Sequence, residues 1–156
     1  MRAVLDTNVL ARALPGTTGP AREVLELLAV APHVLVTAPL LLDELTRVLG
    51  YPRLRAMHGL DDSDIATYVR DVEAASVVIA LIGPSVTVVQ ADPDDNAVIA
   101  AALAGQAELI CTRDKHFRQQ HVLDFCARHG IRIVDDIDLL NELRPAGGKG
   151  PAGTQP

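Results

Sequence analysis

Arg2-Ala3-Val4-Leu5-Asp6-Thr7-Asn8-Val9-Leu10 opens the chain with a change of pattern from which the fold follows. An apolar run starts at the second residue and ends on an aspartate, a threonine and an asparagine. Beyond them the apolar positions lengthen to helical spacing through Val9, Leu10, Ala13 and Leu14. A short buried strand that carries a carboxylate at its C-terminal end, then turns into a helix, begins an open α/β sheet. Ligands of such sheets gather beyond the carboxyl ends of the strands. Asp6 is therefore read as the first of four acids collected at that edge to hold metal.

The bulk properties are compatible with this opening. A chain of 156 residues is long enough to bury one proper core. Its side chains are 49% hydrophobic but only 3% aromatic, with no Trp, so the core is built of Val, Leu, Ile and Ala. Such a core suits parallel strands covered by helices on both faces. A net charge of −6 gives no global attraction to nucleic acid. It does not exclude a nuclease, because cations bound by clustered acids invert the local sign. Cys111 and Cys126 form neither a disulfide framework nor a zinc pattern, and both are expected as reduced core residues. No apolar run approaches the roughly 18 residues of a membrane span. Asp6 interrupts the N-terminal stretch before a signal-peptide core could form. A cytoplasmic protein without membrane contact is expected.

Outward from the opening, Pro15 to Pro20 is a turn cluster, and a helix is expected over residues 21–30. A second buried strand is expected at 34–37 and a helix at 39–49, with proline in its first turn. Leu41, Leu45 and Val48 stripe that helix. At about 100° per residue, Glu44 lies about 60° from Leu41 and about 40° from Val48, whereas Asp43 points away. Glu44 is thus drawn inward, where an unpaired charge is costly, so it needs either a metal or a salt bridge to Arg47 or Arg53. Residues 51–59 read as a basic connector carrying Arg53, Arg55 and His58. Asp61, Asp62 and Asp64 read as capping acids of a helix over 63–82.

Further strands are expected at 86–89, 108–112 and 131–134, and helices at 94–104, 122–129 and from Asp135 or Asp136 to about 143. The segment 145–156, rich in Gly and Pro, has nothing to bury and is expected to be a disordered tail after a single domain over 1–144. Alternation of strand and helix along the chain argues a three-layer α/β/α fold with a mainly parallel sheet of roughly five strands.

Strands one, three and four of this scheme each end in carboxylates: Asp6, the Asp92/Asp94/Asp95 group, and Asp114. Glu44 follows strand two. A parallel sheet brings all those ends to one edge, where four acids repel unless cations neutralise them. Oxygen clusters suit Mg²⁺ or Mn²⁺, as one ion or two, and such sites activate water against phosphodiesters. Within Asp92-Pro93-Asp94-Asp95, Asp95 precedes Val98, Ile99 and Ala102 by helical steps and sits atop the inward face. Asp92, held extended by Pro93, reads as the cap of that helix. The five histidines show no ligand spacing and read as surface or core residues.

The ordered motifs Leu5-Asp6-Thr7-Asn8-Val9, Pro39-Leu40-Leu41-Leu42-Asp43-Glu44-Leu45, Asp92-Pro93-Asp94-Asp95-Asn96 and Cys111-Thr112-Arg113-Asp114-Lys115-His116-Phe117 resemble the PIN-domain family. Within it they are most similar to bacterial toxin components, the VapC-like ribonucleases. The resemblance implies a PIN fold and Mg²⁺- or Mn²⁺-dependent cleavage of single-stranded RNA. It places the catalytic and metal-binding acids at Asp6, Glu44, Asp95 and Asp114. Thr7, Asn8, Thr112, Asp92 and Asn96 fall at supporting positions. Arg113 stands where many relatives carry glycine, either adding a phosphate contact or crowding the site mouth. A toxin also implies an antitoxin protein that blocks the site, and relatives often form homodimers.

For RNA grip, single-stranded or structured, the basic residues nearest the acidic edge are Arg113, Lys115, His116, Arg118 and His121, with Arg53 and Arg55 beyond the Glu44 helix. A solvated basic face is the plain alternative. Few aromatics leave little base stacking, so binding should be salt-sensitive and weakly sequence-specific. Competing functions are a phosphotransfer fold, a non-catalytic PIN-like binding module, and a nuclease of RNA processing rather than a toxin. A haloacid-dehalogenase-type phosphatase needs an aspartate where Asn8 stands, and a receiver domain needs an acidic pair near Asp6. Four acids in place argue against a dead site.

Overall fold

The first strand, β1 (Arg2–Leu5), is the centre of a five-stranded, all-parallel sheet ordered β3-β2-β1-β4-β5 in the computed structural model, which describes residues 1–80, 86–90, 92 and 94–145. The other strands are β2 (Val34–Thr37), β3 (Ser76–Val78), β4 (Leu109–Cys111) and β5 (Arg132–Val134). Val4 pairs with Val36 on one side and with Ile110 on the other, so β1 is hydrogen-bonded along both edges. The chain crosses over with α1 (Thr7–Leu10), α2 (Pro20–Leu28), α3 (Pro39–Leu49), α4 (Pro52–His58), α5 (Asp62–Ala74), α6 (Asp95–Ala104), α7 (Gln120–Arg128) and α8 (Asp136–Leu143).

Period-two alternation along the strands divides the core between the two faces. Ala3, Leu5, Leu35, Leu109 and Cys111 meet α1, α2, α5, α8 and the Leu42/Leu45/Leu49 stripe of α3. On the opposite face Val4, Val36 and Ile110 meet Val98, Ile99 and Ala102 of α6, Val122 and Cys126 of α7, and Phe117. The result is the expected three-layer α/β/α sandwich, with both cysteines buried as free thiols. At Gly105, which ends α6, a side-chain carbon would collide with Val36 Cγ1, so this helix packs on β2 at glycine distance.

Four expectations are corrected. The third strand lies at Ser76–Val78 rather than at 86–89, and α5 ends at Ala74 rather than running to 82. The β-branched run Val77-Val78-Ile79 pairs beside β2, and Ile79 N–H continues the ladder to Thr37 O at 2.8 Å. Residues 86–89 instead lie outside the sheet. Asn96 pins them, because its Oδ1 accepts from Val88 N and Val89 N at 2.8 Å and its amide donates to Val89 O at 3.0 Å. The segment 51–59 is no irregular connector but contains α4, set by Pro52 at its first turn and closed by Gly59 at φ +69°. The N-cap of α6 is Asp94 rather than Asp92, although Asp92 still folds that turn by accepting Asp94 N on Oδ1 at 3.1 Å and Asp95 N on its carbonyl at 3.2 Å. Most of the 145–156 tail lies outside the described residues.

Candidate metal centre

Asp6 closes β1 and caps α1. Its Oδ1 accepts from Thr7 N at 2.7 Å, and its carbonyl accepts from Val9 N and Leu10 N. Its Oδ2 accepts from the Thr112 hydroxyl at 2.7 Å and from Asn8 Nδ2 at 3.2 Å. Asp6 is 5% exposed, yet among the described residues no cation lies within ion-pair distance of it. Burial therefore pushes its carboxyl up to about 6, against the hydrogen bonds from Thr112 and Thr7, and the charges of Glu44 and Asp114 add to the rise.

Each neighbour of β1 brings a second acid to Asp6. From the β2 side, Glu44 on α3 is half-buried and accepts from Thr7 Oγ1 at 2.7 Å. Arg47, one turn on, stands 4.0 Å from Glu44 and 3.6 Å from Asp94. Thus the inward glutamate is bonded to the Asp6 turn and also has a distant arginine, while Asp43 is exposed. From the β4 side, Thr112 Oγ1 accepts Asp114 N at 3.0 Å while donating to Asp6, so one hydroxyl ties the ends of β1 and β4. Asp114 in turn caps a 3-10 turn, Lys115–Arg118, by accepting His116 N at 2.9 Å.

Asp95 reaches the cluster from the first turn of α6. It is buried, and its Oδ2 lies 3.2 Å from His116 Nδ1, which also stands 3.3 Å from Asp114 Oδ1. Burial first, then the charges of Asp114 and Asp6, lift the Asp95 carboxyl to about 7. These electrostatics link Asp6, Asp95, Asp114 and Glu44 in one field of mutual repulsion. Asp92, half-buried, also adds its charge to Asp95. Asn96 points the other way, holding the 86–89 segment. Asp95 and Asp92 are delivered by a helix start and the loop before it, not by a strand end.

Sequence reasoning missed two residues at this edge. Asp136, taken as a possible cap, leaves that task to Asp135, whose side chain accepts Asp138 N at 2.8 Å. Asp136 is instead fully buried, bonded to Arg113 Nε and 3.6 Å from Arg12 Nη1. The hydrogen bond to Asp136 raises the Arg113 guanidinium further and commits it to this buried partner, while Arg113 N–H reaches Asn8 Oδ1 at 3.4 Å. Only the buried position of Asp136 reveals it, since two adjacent acids before a helix both satisfy a capping pattern. The second is His116, expected among the basic residues at this edge for RNA grip but not beside the acids, since its sequence context shows no ligand period. Arg53, Lys115 and Arg118 are exposed and form no ion pair among the described residues; Arg55 pairs with Asp62. A groove of about 350 Å³ opens beside Glu44, between Leu40, Arg47 and Asp94.

The profile of the PIN domain matches residues 2–116, well over half of the chain. The chain belongs to the PIN-domain family. No curated protein matches it. PIN domains are as a family metal-dependent nucleases that bind nucleic acid, and the donor set here fits a divalent cation. Carboxylate oxygens dominate it, two of its acids are raised by burial and mutual charge, and among the described residues Asp6 has no cation within ion-pair distance. Among the described residues, no helix of this PIN domain is long and apolar enough to cross a membrane.

Proposed function

We infer that this PIN domain is an endoribonuclease that cuts phosphodiester bonds of single-stranded RNA, and that it is the toxin component of a bacterial toxin–antitoxin pair. Asp6, Glu44, Asp95 and Asp114 would hold one or two Mg²⁺ or Mn²⁺ ions. The observation that carries the reading is Asp6: a buried carboxylate at the end of the central strand, bonded among the described residues to neutral donors alone, with Glu44 and Asp114 tied to its own partners Thr7 and Thr112. An uncompensated charge in such a place is costly unless a cation completes it.

A bound divalent ion supplies an activated water and neutralises charge on the phosphate. The chain's own residues prepare the geometry. Thr112 and Asn8 orient Asp6 Oδ2, Thr7 orients Glu44, and the Thr112 hydroxyl with His116 N–H fixes Asp114. Arg53, Lys115 and Arg118, exposed and unpaired among the described residues, are the proposed phosphate contacts. Arg113 joins them through whatever part of its guanidinium Asp136 leaves free.

Base stacking contributes little, since Phe117 and Tyr68 are buried and Tyr51 is the one strongly exposed aromatic among the large hydrophobic residues. Binding is therefore salt-sensitive and weakly sequence-specific. The groove beside Glu44 is a path by which a strand reaches the acids. The toxin role, the blocking antitoxin and the homodimer rest on the resemblance of the four motifs, and action in the cytoplasm is proposed from the lack of a membrane-length apolar run. Expression in a bacterial host with transcriptome-wide mapping of RNA ends tests the reading. New ends that appear with wild type and not with Asp6→Asn support it, and identical end profiles refute it.

A further inference from the structure

The 3-10 turn after β4 is anchored at both ends of its short span. Phe117 is fully buried in the core between the sheet and α7, and Asp114 accepts the His116 N–H. With the backbone so held, the His116 ring turns back over the acids instead of out to solvent, and its side chain is 25% exposed. Nδ1 lies 3.2 Å from Asp95 Oδ2 and 3.3 Å from Asp114 Oδ1. One ligand atom each from Asp92, Asp95 and His116 falls within 4.8 Å of the others, and no other trio of histidine, cysteine and acidic side chains gathers so among the described residues.

We propose that His116 is a metal ligand, forming with Asp92 and Asp95 a mixed nitrogen–oxygen site that takes a first-row transition ion in preference to Mg²⁺. The proposal rests on the nuclease reading above and names the cation class of its Asp95 side. Mg²⁺ is hard, dehydrates reluctantly and gains little from imidazole. Ions later in the series gain progressively more from a ring nitrogen, in the order Mn²⁺, Co²⁺, Ni²⁺. A nitrogen lone pair placed among three carboxylates therefore discriminates where oxygens alone do not.

The same geometry has one rival role: an imidazolium that serves as a counter-charge to Asp95 and Asp114. The two roles predict opposite effects of removing the ring. Loss of a ligand weakens transition-ion binding selectively. Loss of a positive charge tightens the binding of every cation.

The test is calorimetric titration of the full chain, stripped of metal, with Mg²⁺ and separately with Co²⁺, on wild type, His116→Gln, His116→Ala and Asp92→Asn. The visible spectrum of the Co²⁺ form is read in parallel, and thermal unfolding in chelator checks that each variant folds. The expected result is Co²⁺ affinity weaker by about tenfold or more in all three variants, Mg²⁺ affinity within about twofold in the two His116 variants, and a changed Co²⁺ spectrum on loss of the ring. Unchanged Co²⁺ affinity in both His116 variants, or tighter binding of both ions, overturns the ligand role and leaves the nuclease reading standing. A folded wild type that binds neither ion overturns both. Asp92→Asn leaves the ring in place, and unchanged Co²⁺ affinity in that variant overturns the three-residue site even where a His116 variant fails to fold.

Discussion

Replacing Asp6 by asparagine keeps the shape of the side chain and removes its charge. Burial, with smaller contributions from Glu44 and Asp114, lifts this carboxyl from its ordinary 3.8 to about 6. A carboxyl raised in the folded state holds its proton more tightly there than in the unfolded chain. Its contribution to stability is fully present below about pH 4 and is lost as pH rises through about 6. At about 1.36 kcal/mol per unit, the whole displacement is worth about 3 kcal/mol. Linkage places roughly half of it between about pH 5 and about pH 7.5.

The variant carries a separate cost, because its amide faces either Thr7 N–H or the donors Thr112 and Asn8, at about 1–3 kcal/mol. That cost does not depend on pH and cancels when the two proteins are compared at two pH values. Asp95, which the Asp6 charge helps to raise, moves the difference in the same direction. Urea denaturation followed by circular dichroism in chelator should therefore show wild type gaining roughly 1 to 2 kcal/mol over Asp6→Asn on going from about pH 7.5 to about pH 5. An unchanged difference, or a shift of opposite sign, would refute the claim that a buried, uncompensated carboxylate sits at the end of β1.

Other predictions follow from single contacts. Thr112→Val removes a donor to Asp6 and the acceptor of Asp114 N–H, and should cost about 1–3 kcal/mol in urea denaturation while weakening Mn²⁺ binding in calorimetry. Arg113→Ala leaves the buried Asp136 with only the more distant Arg12, and should cost about 1–3 kcal/mol; adding Asp136→Asn should then cost less than it does in wild type, as a double-mutant cycle would read. Gly105→Ala forces a carbon against Val36 and should destabilise by about 1–3 kcal/mol without altering metal affinity. Cys111 and Cys126, both buried and with their thiols pushed up by burial, should react with a disulfide reagent only at the rate of unfolding.

The fold was most legible where apolar runs are short and bounded. β1, β2 and β4 stood out because each is a buried parallel strand ending at a polar residue, and Asp6 at the end of the central strand followed from them. The third strand was misplaced because Val86 to Val89 has the same β-branched composition as Ser76 to Val78, and composition cannot tell which run finds an edge beside β2. The side chain of Asn96, a tertiary contact without local signal, decides against the later run.

At the site, helical phase singled out Glu44 over Asp43 and Asp95 over Asp94, and both distinctions hold in the burial of the residues. Phase could not show that Thr7 bonds Glu44 or that one Thr112 hydroxyl serves two acids, because those contacts cross between strands. Asp136 and His116 were hidden for a related reason. A first-turn acid and a histidine in a basic run both satisfy local rules, and only packing turns them inward.

Metal-dependent cleavage centred on Asp6 can be read in a single assay. Purified protein is incubated with an unstructured RNA oligonucleotide, with Mn²⁺ or with chelator, beside Asp6→Asn and Asp95→Asn carrying the same fold by circular dichroism. The expected result is internal cuts by wild type with Mn²⁺, none with chelator, and loss of cutting by about a hundredfold or more in both variants. Intact RNA with folded, Mn²⁺-bound wild type, or cleavage that survives in Asp6→Asn, would contradict it.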